Sequence, residues 1–159
     1  MIIIYGVSAV GKTTVGEMLA AELKWKFYDA DDFHSAANKA KMAAGIPLDD
    51  LDRQGWLESL RDLISTTMAR GQNSVLACSA LKQRYRDLLK INDDVKFVLL
   101  YADYETIEKR IVSRQHHFMN PSLLKSQFDT LEMPTGDDTV LDAAMPAETI
   151  VREIVNALT

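Results

Sequence analysis

The stretch MIIIYGVSAVGKTT, residues 1–14, decides the fold class of this chain. Residues 2–5 are short, apolar and β-branched, which is typical of a buried strand. They run directly into GVSAVGKT, residues 6–13, which fits the pattern G-x-x-x-x-G-K-[ST], and an amphipathic segment over residues 13–25 follows. A strand, a glycine-bounded loop and a helix in this order predict a site that holds the phosphates of a nucleotide.

The residue types in this loop suit phosphate binding. Successive main-chain N–H groups would point at phosphate oxygens, and the next helix would begin there with the positive end of its dipole. Gly6 and Gly11 allow conformations and close approaches that a Cβ would block. Lys12 would meet the β- and γ-phosphates, and Thr13 would offer its hydroxyl to Mg²⁺. The predicted nucleotide-binding residues of the loop are Gly6, Val7, Ser8, Ala9, Val10, Gly11, Lys12, Thr13 and Thr14.

The rest of the chain alternates between strand and helix patterns. Further strands are predicted over residues 26–29, 74–78, 96–102 and 139–142, and helices over 33–44, 53–70, 81–90, 104–115, 121–130 and 147–158. Alternation of this kind implies a parallel sheet with helices on both faces. We therefore predict a five-stranded, three-layer α/β sandwich that forms a single domain over residues 1–159.

Size and composition favour one soluble domain. The chain has 159 residues, 47% of them hydrophobic and 26% charged. No apolar run approaches the roughly 20 residues that a membrane span needs. The single cysteine, Cys78, excludes an internal disulfide and fits a reducing compartment, so we predict a cytoplasmic protein that does not bind membranes. A net charge of −5 argues against broad nucleic-acid binding.

The loop alone leaves the reaction open, because a phosphate cradle does not identify the acceptor. A regulatory GTPase would need N-K-x-D, but the one N-K pair lies in NKAK, residues 38–41, and lacks the aspartate. The transporter signature L-S-G-G-Q is absent from the sequence. The short chain therefore favours a small-molecule kinase over a GTPase, a transporter ATPase or a motor.

The second predicted strand ends in FYDADDFH, residues 27–34. Ligands bind at the carboxyl ends of strands in open α/β sheets. A carboxylate there can align an attacking hydroxyl and accept its proton. We assign Asp31 to that hydroxyl and Asp29 to the metal shell, whereas an acidic loop with Asp32 as a helix N-cap is the competing interpretation.

Two further candidates face the predicted acceptor side. His34 follows the acidic stretch, although a lone histidine is more often structural. Arg53 lies at the predicted start of a helix, where the dipole disfavours a cation, and this indicates an anionic partner such as a substrate carboxylate. A surface ion pair of Arg53 with Asp49, Asp50 or Asp52 is the alternative.

Cationic residues occur in two more segments. After the third strand, Ser79 could orient a metal-bound water, and Lys82 and Arg86 lie four apart on one predicted helical face, where they would form a positive patch beside the phosphate loop. Arg110 and Arg114 are also four apart and could close over the transferring phosphate. Solvated basic helix faces are the alternative in both segments. His116 and His117 are adjacent, which excludes a shared metal site on one helix.

The motifs quoted so far extend into a longer pattern that resembles the gluconokinase family. The resemblance covers residues 5 to about 134 and rests on YGVSAVGKTT, FYDADDFH, NKAKMAAGIPLDDLDRQGWL, CSALKQRYRDLL and RQHHFMNPSLLKSQFDTLEMP. It implies a P-loop kinase fold related to shikimate kinase and the nucleoside monophosphate kinases, with strand order 2-3-1-4-5. It also implies ATP- and Mg²⁺-dependent phosphorylation of D-gluconate at its 6-hydroxyl, and often a homodimer.

The resemblance also implies roles for individual residues. Asp31 would hold and activate the sugar-acid hydroxyl, and the catalytic residues would be Lys12, Asp31 and Arg114. The predicted gluconate contacts are Asp31, His34, Arg53, Lys82, Arg86 and His117, with Arg110 at the nucleotide. Arg114 and His117 would belong to a lid over about residues 113–135.

The chain departs from the family pattern at three places, and one of them is Asp32, an acidic residue where many relatives are not acidic. Ala9 replaces a usual glycine, which would strain the loop by about 1 kcal/mol if a positive φ is required there. The third strand ends in Cys78-Ser79 and lacks the usual metal-binding aspartate, so the metal would rely on Thr13, Asp29 and water. The alternatives are a kinase for another small hydroxy acid such as shikimate, a nucleotide kinase, or a nucleotide-binding module without turnover; His, Lys and Arg in residues 34–56 favour a polyol acid.

Overall fold

The computed structural model describes residues 1–114 and 121–158. Its five strands form one parallel sheet in the order β2-β3-β1-β4-β5, which confirms the predicted topology. The strands are β1 (Ile2–Tyr5), β2 (Lys26–Asp29), β3 (Ser74–Cys78), β4 (Lys96–Tyr101) and β5 (Thr139–Asp142). The helices are α1 (Lys12–Leu23), α2 (Ala36–Ala43), α3 (Asp50–Ala69), α4 (Gln83–Leu89), α5 (Tyr104–Ser113), α6 (Pro121–Thr130) and α7 (Ala147–Leu158).

The central strand β1 is buried on both faces of the sheet. Ile2 and Ile4 enter one core cluster, while Ile3 and Tyr5 enter the other, because successive side chains of a strand point to opposite faces. Helices α1, α5, α6 and α7 contribute to the first cluster, and α3 and α4 cover the second. The continuous apolar run in this strand therefore reflects a three-layer architecture.

The strand register brings the ends of three strands to one edge of the sheet. Tyr5 lies opposite Cys78 of β3 and Leu99 of β4, and Asp29 lies opposite Ala77. The loops that follow β1, β2 and β3 therefore begin side by side. This is the edge at which open α/β sheets bind ligands.

The predicted helix over residues 33–44 is interrupted in the structure. A 3₁₀ turn, Ala30–Phe33, is capped by Asp29, whose side chain accepts a hydrogen bond from the N–H of Asp31. Helix α2 then starts separately after Ser35, whose hydroxyl accepts from the N–H of Asn38. Asp32 lies inside the 3₁₀ turn and does not cap α2, because Ser35 already holds that position.

Helix α3 starts three residues earlier than predicted. Asp49 and Asp52 form a reciprocal capping box around its first turn, and Asp50 is its first helical residue. Arg53 is therefore in the fourth helical position and not at the helix start. In the described part of the chain, no helix combines the length and apolarity needed to cross a membrane.

Candidate active site

A cleft of about 590 Å³ opens at the carboxyl edge of the sheet. Its floor is the loop between β1 and α1, which we call the phosphate loop (residues 6–13). One wall carries Asp29, Asp31, His34 and Arg53, and the facing wall carries Arg114 and helix α6. The structure thus brings most of the predicted site residues to one cavity.

Two glycines shape the phosphate loop. Gly6 has a φ of +147°, and a Cβ there would lie 2.5 Å from the carbonyl oxygen of Leu100, so this position admits no side chain. Gly11 has a φ of +106° and forms the N-cap of α1, with no side-chain cap. The first-turn N–H groups of α1 are therefore left without a side-chain cap at the floor of the cleft, as a phosphate site requires.

Ala9 adopts a φ of +61° in the same loop. This is the left-handed region in which an alanine is strained by roughly 1 kcal/mol or more relative to glycine. The loop therefore does require a positive φ at position 9, which is the case in which Ala9 is predicted to be strained. Val7 and Val10, also predicted to bind the nucleotide, are buried in the core and are not among the residues that line the cleft.

Lys12 lies across the loop and donates from Nζ to the carbonyl oxygen of Val7 at 2.8 Å. Burial lowers the pKa of Lys12, and the nearby Asp31 carboxylate opposes that shift. A desolvated ammonium held by one carbonyl can exchange that partner for phosphate oxygens, which are stronger acceptors because they are charged. The exposed Thr14 follows Thr13 in the first turn of α1 and borders the cleft.

The hydroxyl of Thr13 donates to Oδ2 of Asp29 at 3.1 Å. A hydroxyl and a carboxylate oxygen are hard ligands, and Mg²⁺ in kinases uses one or two protein groups together with phosphates and water. In residues 1–114 and 121–158, no cluster of three or more His, Cys, Asp or Glu side chains could enclose a metal by itself. Thr13 and Asp29 therefore fit the few protein groups that would hold Mg²⁺ in a kinase site.

Asp31 lines the same cleft as Lys12 and Asp29, and the charges of both act on its carboxyl. Desolvation and the charge of Asp29 raise the pKa of Asp31 above its ordinary value, while Lys12 acts in the opposite direction. A carboxylate with a raised pKa is a stronger base once it is ionised, which suits a group that accepts a proton.

His34 stacks on Trp56 with ring centroids 4.4 Å apart and an interplanar angle of 11°. The indole N–H of Trp56 donates to the carbonyl oxygen of Ala30 at 2.7 Å, and this hydrogen bond fixes the indole ring on which the imidazole stacks. Burial and the charges of Arg53 and Lys39 lower the pKa of His34 to about 4. The imidazole is therefore neutral near pH 7, and its buried Nδ1 has no hydrogen-bond partner among the described groups.

Arg53 borders the cleft and donates to the hydroxyl of Tyr85 at 3.3 Å. The ion-pair alternative is not realised within the described residues: Asp52 pairs with Lys41, and Asp50 pairs with Lys82 and Arg84. The guanidinium is thus available to an anion in the cleft. Tyr85, which sequence reasoning did not select, orients it.

The predicted roles of Lys82 and Arg86 need correction. Lys82 is the N-cap of α4 and binds Asp50 at 3.0 Å, so it is not on a helical face shared with Arg86 and does not line the cleft. Arg86 is 1% exposed, and its guanidinium donates to the carbonyl oxygens of Ala80, Leu81 and Glu132. These buried carbonyls need a donor, which explains why the charge points into the protein and not toward a substrate.

The two arginines of α5 occupy different places. Arg114 borders the cleft at the end of the helix. Arg110 donates to the carbonyl oxygen of Val10 at 3.3 Å and to that of Ala143, which ties α5 to the phosphate loop and to the turn after β5. His117 and the rest of residues 115–120, near the start of the predicted lid, lie outside the described residues.

Gln127 of α6 is a contact that sequence reasoning missed. Its Oε1 accepts from the N–H of Ser8 at 2.6 Å, and its Nε2 donates to the Ser8 hydroxyl at 2.8 Å. The residue is 119 positions away in the chain; it lies in the SQF stretch that carries the family resemblance, but nothing in that stretch points to Ser8. Ser79, at the end of β3, also borders the cleft and accepts from the N–H of Gly6 at 3.3 Å through its carbonyl.

Comparisons with known proteins agree with this geometry. Residues 8–159 match a family model described as shikimate kinase. A probable gluconokinase of Mus musculus is 43% identical, with 91% of this chain and 89% of that protein covered. The thermosensitive gluconokinase of Escherichia coli K12 is 47% identical, with coverage of 86% and 73%.

Solved structures separate the family from the wider fold. The crystal structure of a gluconokinase from Sinorhizobium meliloti has a TM-score of 0.89 at 38% identity, with 99% of this chain and 90% of that chain covered. A shikimate kinase from Bacteroides thetaiotaomicron has a TM-score of 0.68 at 18% identity, covering 99% and 97%, which shows the fold alone. The chain is therefore a P-loop kinase that belongs to the gluconokinase family, within the shikimate-kinase fold.

Proposed function

We propose that this protein transfers the γ-phosphoryl group of ATP to the 6-hydroxyl of D-gluconate and produces 6-phospho-D-gluconate. The observation that carries the proposal is one cleft in which a phosphate loop and Asp31 lie next to a wall with His34 and Arg53. The first pair suits phosphoryl transfer to an alcohol. The second pair suits an acceptor that has hydroxyls and a carboxylate.

The chemistry requires little more than positioning and charge stabilisation. The main-chain N–H groups of the phosphate loop and Nζ of Lys12 would bind the phosphates. Asp31 would align the 6-hydroxyl and accept its proton as the new O–P bond forms and the bond from the γ-phosphorus to ADP breaks. Arg114 would neutralise charge on the transferring group from the opposite wall.

Thr13 and Asp29 would hold Mg²⁺, which would neutralise the charge of the phosphates when bound. We also infer that Arg110 contacts the nucleotide and that His117 contacts the acceptor. The chain around residues 113–135 would act as a lid. Arg110 is already bonded to Val10 of the phosphate loop, which supports its place at the nucleotide end.

Acceptor recognition would depend on Arg53 and His34. Arg53 presents a planar guanidinium for the gluconate carboxylate, and Tyr85 keeps it oriented. The neutral His34 can donate or accept a hydrogen bond without adding charge, which suits a hydroxyl. A cleft for a nucleotide acceptor would instead be expected to carry stacking and amide groups around a base.

A sugar-acid panel tests the substrate. With ATP and Mg²⁺, gluconate should support ADP formation, whereas shikimate and nucleoside monophosphates should not. A different preferred acceptor would replace gluconate in the proposal, and no turnover with any acceptor would favour a nucleotide-binding module.

Asp31→Asn tests the catalytic assignment. The variant should bind ATP normally and lose about 10²-fold or more in kcat, because the amide cannot accept the hydroxyl proton. Asp32→Asn is the matched control, since Asp32 lies outside the cleft lining, and it should keep most of the activity. Full activity of Asp31→Asn would remove Asp31 as the base.

We further infer a cytoplasmic enzyme, because ATP is consumed and the single cysteine is reduced and buried. A homodimer remains part of the proposal and can be measured by sedimentation equilibrium. A single monomeric species at micromolar concentration would remove it.

A further inference from the structure

We propose that Gln127 is a positioning residue for phosphoryl transfer, which acts by holding Ser8 at the mouth of the phosphate loop. This inference deepens the proposed function, because it concerns the same cleft and the same transfer. It rests on a contact between α6 and the phosphate loop in which both the oxygen and the nitrogen of the Gln127 carboxamide form a hydrogen bond with Ser8.

The contact uses both ends of the side chain. Oε1 of Gln127 accepts from the main-chain N–H of Ser8 at 2.6 Å, and Nε2 donates to the Ser8 hydroxyl at 2.8 Å. Two bonds to one residue restrain both its main chain and its side-chain rotamer. Both residues line the cleft, so this restraint acts where the terminal phosphates would lie.

Helix α6 is a firm base for this contact. Leu124, three positions before Gln127, is 1% exposed and belongs to the core. Phe128 packs edge-on against Tyr104 of α5 with centroids 5.5 Å apart. Because i and i+4 positions share a helix face, these anchors fix the direction in which the amide of Gln127 is presented.

The same helix reaches the acceptor side of the cleft. The hydroxyl of Ser122 donates to the carbonyl oxygen of Gly45 at 3.4 Å, in the connection between α2 and α3. Leu123 and Ser126 line the cleft between that point and Gln127. Helix α6 therefore spans from the acceptor wall to the phosphate loop, and Gln127 is its contact at the phosphate end.

The loop needs a restraint at this position. Ala9, directly after Ser8, is held at a φ of +61°, which an alanine does not favour. Without the two bonds, Ser8 and Ala9 could relax toward ordinary conformations and move the N–H groups that would face the γ-phosphate. A displacement of about 1 Å at a reacting centre can cost on the order of 10²-fold in rate.

Glutamine is the residue type that this position requires. Glutamate would keep an acceptor for the N–H, but the Ser8 hydroxyl would have to turn and donate to the second carboxylate oxygen, and the side chain would add a negative charge beside a triphosphate. Alanine would remove both bonds. The two substitutions therefore separate the reciprocal contact from the mere presence of a side chain.

The test compares Gln127→Ala and Gln127→Glu with the wild type in steady-state kinetics. We expect kcat to fall about 10- to 100-fold in both variants. In Gln127→Ala, the KM for ATP should stay within about threefold, because Lys12 and the other loop N–H groups still bind the phosphates. Lys109→Ala on the neighbouring helix α5 is the control, since its ion pair with Glu105 is exposed and lies outside the proposed lid, and its kinetics should be unchanged.

A double-mutant cycle identifies the partner. Ser8→Ala removes the hydroxyl that accepts from Nε2, so its effect on kcat should largely vanish when Gln127 is already alanine. Thermal unfolding of each variant with and without ATP separates loss of fold from loss of alignment. If Gln127→Ala is too unstable to assay, the Gln127→Glu variant and the Ser8→Ala variant supply the comparison.

Several results would overturn the inference. A kcat within twofold of the wild type would show that the contact does not position the reaction. A lower KM for ATP with an unchanged kcat would mean that the amide merely competes with phosphate. If the wild type prefers an acceptor other than gluconate, the proposed function fails, and the Gln127 variants are compared with that acceptor. If no acceptor is phosphorylated, the variants are compared by their rates of ATP hydrolysis.

Discussion

The ionisation of Asp31 is set by the side chains around it. Desolvation and Asp29 raise the pKa of Asp31, Lys12 lowers it, Asp32 raises it further and Lys39 lowers it. A base must be ionised to act, so activity is lost as the pH falls through this raised pKa. The acid limb of the pH–rate profile therefore reports the balance of these charges.

Two charge removals should move that limb in opposite directions. Asp32→Asn removes a negative charge, which lowers the pKa of Asp31 and shifts the acid limb of kcat/KM to lower pH. Lys39→Gln removes a positive charge, which raises that pKa and shifts the limb to higher pH. Profiles measured at low ionic strength check both signs, and shifts in the same direction would contradict Asp31 as the titrating base.

Ala9 gives a second prediction at this scale. Ala9→Gly should raise the free energy of unfolding by about 1 kcal/mol, because glycine adopts a φ of +61° without strain. Ala21→Gly, on the exposed side of α1, is the opposite control and should lower it by about 1 kcal/mol. Urea unfolding measures both, and destabilisation by Ala9→Gly would mean that the loop does not strain the alanine.

The elements begin and end where local side chains satisfy free main-chain groups. Asp49 and Asp52 start α3, and Ser35 starts α2, each by a hydrogen bond across about three residues. Such caps can be read from a sequence in principle, but the chain offers several carboxylates near each start. Competition between equivalent caps is why the boundaries of these two helices were misplaced.

Helix α3 carries a glycine that the element does not need. Gly55 lies in the helix interior, and a Cβ there would meet nothing within 4 Å. Gly55→Ala should therefore raise the free energy of unfolding by about 0.5 to 1 kcal/mol. Gly71→Ala, just after the same helix, should lower it by about 1 kcal/mol because Gly71 has a φ of +65°.

Thermal or urea unfolding of the two glycine variants provides the measurement. Equal effects of both substitutions would show that backbone conformation does not govern their sign. Kinetics of Gly55→Ala should remain those of the wild type, since neither position lines the cleft.

Arg86 connects distant parts of the whole molecule. Its guanidinium binds the connection between β3 and α4 and also the carbonyl of Glu132, which follows α6. It lies 4.7 Å from the ring centroid of Tyr5, whose hydroxyl donates to Asp138 at 2.7 Å. The chain after the predicted lid is thereby attached to the central strand.

Arg86→Met should therefore destabilise the fold by about 3 kcal/mol, because it leaves several buried carbonyls without a donor. Arg84→Met on the same helix is the control: the Arg84 side chain is 57% exposed and pairs with Asp50 at the surface, so the cost should stay below about 1 kcal/mol. Urea unfolding gives both values. A stable Arg86→Met variant with a strongly raised KM for gluconate would restore the substrate contact expected from the sequence.

The amino-acid sequence by itself determined the layers, the parallel sheet and the phosphate loop. These features depend on local periodicity and on glycines whose conformational need lies within a few residues. The family resemblance added the strand order, and it directed attention to Asp31, His34 and Arg53, which the structure brings to one cleft.

Only the tertiary structure decided which charged side chains can meet a ligand in the cleft and which are bound to other groups of the protein. Arg86 and Lys82 look as available as Arg53 in the sequence, but buried carbonyls and Asp50 engage them. Gln127 reaches Ser8 across 119 positions. The physical reason is that hydrogen-bond partners are chosen by proximity in the folded chain, and neither spacing nor residue type reveals a partner that arrives from another element.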